Sequence, residues 1–155
     1  MRDTEIKQES LDDEVEHILE ESRMVLPGLQ ALFGFQLIAV FNPRFDDVLR
    51  HPAQELHLAA VILTALAIAL IMAPAAYHRQ AERGLLSRYL ADYASRLLAI
   101  AMAPLLTALA IEVSLVSFVI LRNLAGSVVI GASLFLAFGW LWYVFPAYRK
   151  RRAPS

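Results

Sequence analysis

Glu112 has the most chemistry to offer for its position in this 155-residue chain. It stands about fifteen residues into an apolar run that begins near Leu97, where an unpaired carboxylate in hydrocarbon costs at least ~2.5 kcal/mol. Such a carboxyl must be neutral, paired or facing water. A group that passes between those states is what a proton-coupled carrier requires. The other role open to Glu112 is a protonated carboxyl donating one hydrogen bond between helices as packing glue. Gln30 and Gln36 place two amides in an earlier apolar stretch, six residues apart and so about 120° from one another around a helix. Amides in hydrocarbon need partners. With Gly28 and Gly34 beside them, they mark their helix as packed inside a bundle or as lining a polar path. Any translocation path is expected to use Glu112, Gln30 and Gln36. His78, directly before Arg79 at the end of a second apolar run, is placed either to sense pH or to sit as an ordinary interfacial histidine.

Other chemistries find no foothold. No histidine or carboxylate cluster has metal-ligand spacing, no Ser/His/Asp set pairs a nucleophile with a base, and no glycine-rich loop has a phosphate-binding context. The absence of cysteine excludes disulfides and thiolate metal sites. No catalytic residue, metal or cofactor is therefore assigned, and an enzyme is not expected.

The elements that must position these residues follow from composition. The chain is 58% hydrophobic and only 19% charged, with a mean hydropathy of +0.52. A soluble core in so short a chain could not hide that much apolar surface. The charges cluster at the two ends and in short intervening stretches, leaving four apolar spans at about 24–41, 56–77, 97–121 and 125–145. The fold class read from this pattern is all-α: a four-helix transmembrane bundle over residues 24–148, preceded by an acidic amphipathic helix at 1–23 and followed by a basic tail at 149–155. In the first helix Leu11, Val15, Ile18 and Leu19 recur at helical spacing among acidic residues. Anionic headgroups would repel its acidic face, so the stripe is expected to pack on protein. Residues 1–23 are too polar and acid-rich for a signal peptide.

Placing the N-terminus on the cytoplasmic side puts 11 of the 14 Lys and Arg residues inside and leaves Arg44, Arg50 and Arg122 outside. Tyr77, Tyr89, Tyr93, Trp140, Trp142, Tyr143 and Tyr148 gather at the same inner interface. The expected location is thus the plasma (inner) membrane, with both termini cytoplasmic. The basic run Arg149 to Arg152 follows directly on an apolar span, so its partner is membrane lipid and not nucleic acid. The very short segment from Arg122 to Leu124 makes spans 3 and 4 antiparallel neighbours. Ser127, Gly131, Phe135 and Gly139 form a four-residue row on span 4, open either to ordinary packing or to a dimer seam.

The run from Leu11 to Arg23, then Leu26-Pro27-Gly28-Leu29-Gln30-Ala31-Leu32-Phe33-Gly34-Phe35, and the exit of span 2, Ala73-Pro74-Ala75-Ala76-Tyr77-His78-Arg79, resemble a family of small uncharacterised four-span bacterial membrane proteins. Its members are often labelled sodium:proton antiporters. The resemblance covers the N-terminal half, while spans 3 and 4 share its hydropathy and basic tail, and the chain lacks a paired-aspartate ion site. It implies a four-span fold and cation–proton exchange. The functional expectation is an oligomeric membrane protein that moves a proton or small cation along Glu112, Gln30 and Gln36. Because four helices alone rarely enclose a water-filled route, that expectation requires a homo-oligomer. The alternative is a non-transporting structural or regulatory protein whose acidic N-terminal helix binds a partner or another subunit.

Overall fold

The computed structural model describes residues 2–81 and 88–152, with side chains described for residues 17, 18, 20–80 and 88–150. It is a helical bundle with no strand among these residues. Helix α1 runs Arg2–Val40, α2 Phe45–Val48, α3 His51–Ala81, α4 Arg88–Leu121 and α5 Leu124–Gly139. A π-helical turn at Trp140–Val144 leads into α6, Phe145–Arg152. Four segments are long and apolar enough to cross a membrane: Glu20–Val40, His51–Gln80, Arg88–Leu121 and Leu124–Lys150. The expected amphipathic helix and first span are one unbroken helix, α1, with Pro27 inside it.

Few large side chains are buried. Ala60, Ala67, Ala91, Ala94, Ala101 and Ala108 are, while Phe35, Ile38, Ile62, Ile120, Val129 and Leu136 point outward. Small residues inside and large apolar ones outside is the pattern of helices that pack backbone to backbone and meet lipid on their outer faces. Helix α4 is the hub: α3 packs along it most extensively, α1 packs on both α3 and α4, and α5 packs chiefly on α4. Gly131 explains the close approach of α5. A Cβ at that position would strike the Ser114 side chain and come within 2.8 Å of the Ala110 carbonyl oxygen. Ser127 and Gly131 are both buried in this seam, so the small members of the span 4 row serve packing within the chain.

The bundle has two ends. Both termini leave from one, here called the termini end; the α1–α3 linker and the α4–α5 turn form the other, the loop end. That turn is just Arg122 and Asn123, with Arg122 in the left-handed region (φ 53°) and the Asn123 side chain accepting from the Gly126 amide to cap α5. Ile18, the one member of the N-terminal stripe whose side chain is described, packs with Tyr77 against Leu90 and Ala91 at the termini end. Leu11, Val15 and Leu19 lie outside the described side chains, as do Arg151 and Arg152 of the basic tail.

In the π-helical turn Phe145 donates to the Trp140 carbonyl, five residues away, directly before Pro146, which has no N–H to donate. The turn carries Tyr143, whose hydroxyl donates to the Ala99 carbonyl of α4 at 2.8 Å and ties the last span to the hub.

Candidate functional site

Three helices converge on one carboxylate oxygen near the loop end. Helix α1 brings Gln36 four residues before its end at Val40, α3 brings His57 six residues after its start at His51, and α4 brings Glu112 nine residues before its end at Leu121. At ~1.5 Å per residue these are comparable depths, about 6 to 14 Å from the helix ends. The antiparallel run of α3 against α1 and α4 is what brings residues so distant in sequence together. Glu112 therefore sits in the loop-end half, not at the centre of its helix.

Glu112 Oε1 accepts from Gln36 Nε2 at 3.0 Å and lies 3.0 Å from His57 Nδ1. His57 Nε2 lies 3.0 Å from the backbone carbonyl oxygen of Gln36. Gln36 and His57 are both buried. These contacts count the protons. A carbonyl oxygen only accepts, so His57 Nε2 must carry a hydrogen. The opposite nitrogen then either carries one as well, giving an imidazolium against a carboxylate, or is bare and accepts from a protonated Glu112. Both descriptions place one proton between Nδ1 and Oε1 and leave the pair electrically neutral. Without that proton, two lone pairs would face each other at 3.0 Å. Losing or gaining a proton here thus charges a buried site and disturbs a contact between helices.

The linker folds over the cluster. Phe45 of α2 meets the His57 ring edge-on, with centroids 5.6 Å apart, and Gln54 holds the linker to α3 by donating to Asp46 Oδ1 at 3.0 Å and to the Leu49 carbonyl at 2.8 Å. Beneath the linker is a cavity of about 370 Å³. Val48, Leu49, Leu115, Val116, Val119 and Ile120 supply most of its apolar wall, and Asn42, Arg44, His57 and Glu112 supply its polar atoms. Both hydrogen bonds to Glu112 use Oε1.

Gln30 is exposed on α1, away from the cluster, and a Cβ at Gly28 or Gly34 would meet nothing within 4 Å. Within one chain, then, only one of the two amides joins Glu112, and neither glycine supports a close approach. Their 120° separation on the helix is the reason: one face of α1 turns Gln36 toward α3 and α4, and another leaves Gln30 exposed. His78 lies at the termini end of α3, with its Nδ1 buried and without a hydrogen-bond partner among the described residues. It is about 30 Å of helix from His57. Other hydroxyls inside the bundle are spent locally: Thr64 on the Ala60 carbonyl, Ser114 on Ala110 and Thr107 on Ala103. Among the described residues, no group of three or more His, Cys, Asp or Glu is placed to hold a metal ion.

His57 is the functional residue that sequence reasoning passed over. It is the second residue of the expected span 2, beside Glu55, and reads as part of a polar flank. A usable signal exists: a histidine at the edge of an apolar run, about two turns past the helix-start signal near His51-Pro52, at a depth matching that of a carboxyl in need of a partner.

The model of a family of unknown function, DUF6328, matches residues 4–146, nearly the whole chain. The chain belongs to the DUF6328 family. No curated protein and no solved structure matches it. For this DUF6328 member the chemistry must therefore be argued from the cluster itself, which can hold one proton between two side chains and present a carboxylate to an apolar cavity.

Proposed function

We propose that this protein is a bacterial inner-membrane protein that exchanges a proton at the His57–Glu112 pair and so moves a proton or small ion, without enzymatic activity. The observation that carries the reading is the 3.0 Å contact between His57 Nδ1 and Glu112 Oε1, inside segments long and apolar enough to span a membrane. A buried pair of this kind is rarely retained for packing alone, since a hydrocarbon pair fills the same space at no electrostatic cost. The pair also joins α1, α3 and α4, so a change in its charge is felt as a change in how three helices fit.

The orientation that fits is the one with both termini cytoplasmic, on the strength of the 11 to 3 split of basic residues. His57 and Glu112 then lie toward the outer face. An oligomer is supported by α1: Gln30 is exposed in mid-span, and an amide facing lipid lacks a partner that a second copy of the chain would supply.

The test is flux in vesicles reconstituted with the full chain. Wild-type protein is expected to carry protons or small cations with a pH-dependent rate. Glu112→Gln keeps the size and a hydrogen-bonding amide but cannot exchange the proton, so flux should fall at least tenfold and lose its pH dependence. Absence of flux in the wild type, with His57 showing no change of protonation between acid and alkaline conditions, would refute the proposal.

A further inference from the structure

We infer that the cavity under the α1–α3 linker is a binding site for a monovalent organic cation of apolar character, and that such a cation and the shared proton occupy the site alternately. The inference rests on the proton-exchange reading and names what the proton is exchanged for.

Size comes first. At about 370 Å³ the cavity falls within the range of small-molecule pockets, which are mostly apolar with a few converging polar groups. Its lining has that character, with Val116, Val119 and Ile120 of α4 and Val48 and Leu49 of the linker along its wall and open rim. Charge decides the class of ligand. With the proton in place the His57–Glu112 pair is neutral. When the proton leaves for water, one negative charge remains, and the cavity in front of it is apolar. A bound monovalent cation restores neutrality at the pair itself, while the Arg44 charge stays at the exposed rim. Charge balances one for one: a proton goes out as the cation comes in, no bond but the N–H···O link is broken, and nothing is oxidised or reduced. Since both contacts that Glu112 makes among the described residues use Oε1, Oε2 is the oxygen offered to the ligand.

The same lining argues against a small inorganic cation. Such an ion needs a shell of oxygen ligands, but the only oxygen-bearing side chains on the wall are the Glu112 carboxylate and the Asn42 amide, and Asn42 Oδ1 already accepts from the Arg44 amide. The charged and titratable groups facing the cavity are Arg44 from the linker, His57 from α3 and Glu112 from α4. The fixed positive charge of Arg44, exposed at the rim, opposes any cation. An organic cation offsets that by burying its apolar groups, whereas an inorganic ion has nothing to bury. Phe45, which lines the same cavity and meets the His57 ring, adds an aromatic ring, a favourable neighbour for diffuse positive charge.

The experiment uses the purified full-length protein in detergent with tetraphenylphosphonium as probe, followed by calorimetry in buffers of different ionisation enthalpy from about pH 6 to pH 9. The expected result is binding with release of one proton per cation, tightening about tenfold per pH unit while the pair remains protonated. Val116→Trp and Ala39→Leu fill the cavity without touching the hydrogen-bonded cluster. Either should abolish cation binding while leaving the His57 protonation change, read by NMR, as in the wild type. Absence of binding, binding without proton release, or preferential binding of an anionic amphiphile such as laurate would each overturn the inference. If His57 still exchanges its proton in those cases, the proposed function survives; if it does not, that reading falls as well.

Discussion

At the loop end of the bundle, α1, α3 and α4 meet through hydrogen bonds to a single carboxylate oxygen. At the termini end the same three helices meet through Ile18, Tyr77, Leu90 and Ala91, and one layer deeper through Leu29, Ile71 and Ala101. Tyr77, Tyr89 and Tyr93 cluster there, with ring centroids 5.4 to 6.1 Å apart. The first junction is directional, and its His57–Glu112 contact depends on where one proton lies. The second is built chiefly from apolar and aromatic contacts. Pro27, Pro74 and Pro104 interrupt α1, α3 and α4, all on the termini side of the polar cluster. Each leaves a carbonyl without its usual intrahelical donor. One end is thus specified by hydrogen-bond geometry and the other by contact area, with the points of easiest bending between the polar cluster and the termini.

The contrast breaks most visibly at Leu90, which is fully buried. Leu90→Ala is expected to cost about 2 to 5 kcal/mol, the range for emptying a packed apolar site. The cost should be the same at every pH. Unfolding followed at acid, neutral and alkaline pH checks this, and a pH-dependent penalty would mean that the two ends are not separable.

Glu112→Leu attacks the other end. It removes the acceptor for both Gln36 Nε2 and His57 Nδ1 and is expected to cost about 1 to 3 kcal/mol, two interhelical hydrogen bonds in a membrane setting. Here pH should matter. With the contacts intact the folded pair binds one proton. The unfolded chain binds two on the same residues in acid, so wild-type stability should rise with pH there; it binds none in alkali, so stability should fall as pH rises further. Wild-type stability is therefore greatest between those limits, and the Leu variant should flatten the curve. A curve of unchanged shape would show that the pair does not share its proton as the geometry requires.

These two ends were unequally legible in the sequence. The helical fold, the four apolar spans and the tight turn at Arg122 follow from hydropathy and charge spacing, which are local. Glu112 and Gln36 also stand out locally, as polar residues in apolar runs. Their pairing across 76 positions does not, because it depends on how far each antiparallel helix extends past its neighbour. His57 was hidden by its place at the edge of a run. Gln30 looks the same as Gln36 in sequence, and only the helix face distinguishes them. Gly131, by contrast, was readable as a close-packing residue, but whether its partner was α4 or a second chain is set by the three-dimensional path of the turn.

Gln36→Leu separates side chain from backbone within the polar end and should have the smallest effect of the three. The substitution deletes the donor to Glu112 Oε1, and with it a side-chain oxygen that is buried without a partner. The second loss is a gain in stability, since an unsatisfied buried acceptor is itself a cost. The backbone carbonyl that receives His57 Nε2 is untouched, so the imidazole keeps its tautomer and its aim at Glu112. The net penalty should therefore fall near the average for interhelical hydrogen bonds in membranes, about 0.6 kcal/mol, and below the value for Glu112→Leu. The bell-shaped pH dependence should remain, because the shared proton lies between two residues that are both still present. If Gln36→Leu instead abolished that dependence, the amide would have to be a member of the proton-carrying unit and not its brace, and the pair would need to be redrawn as a three-residue site.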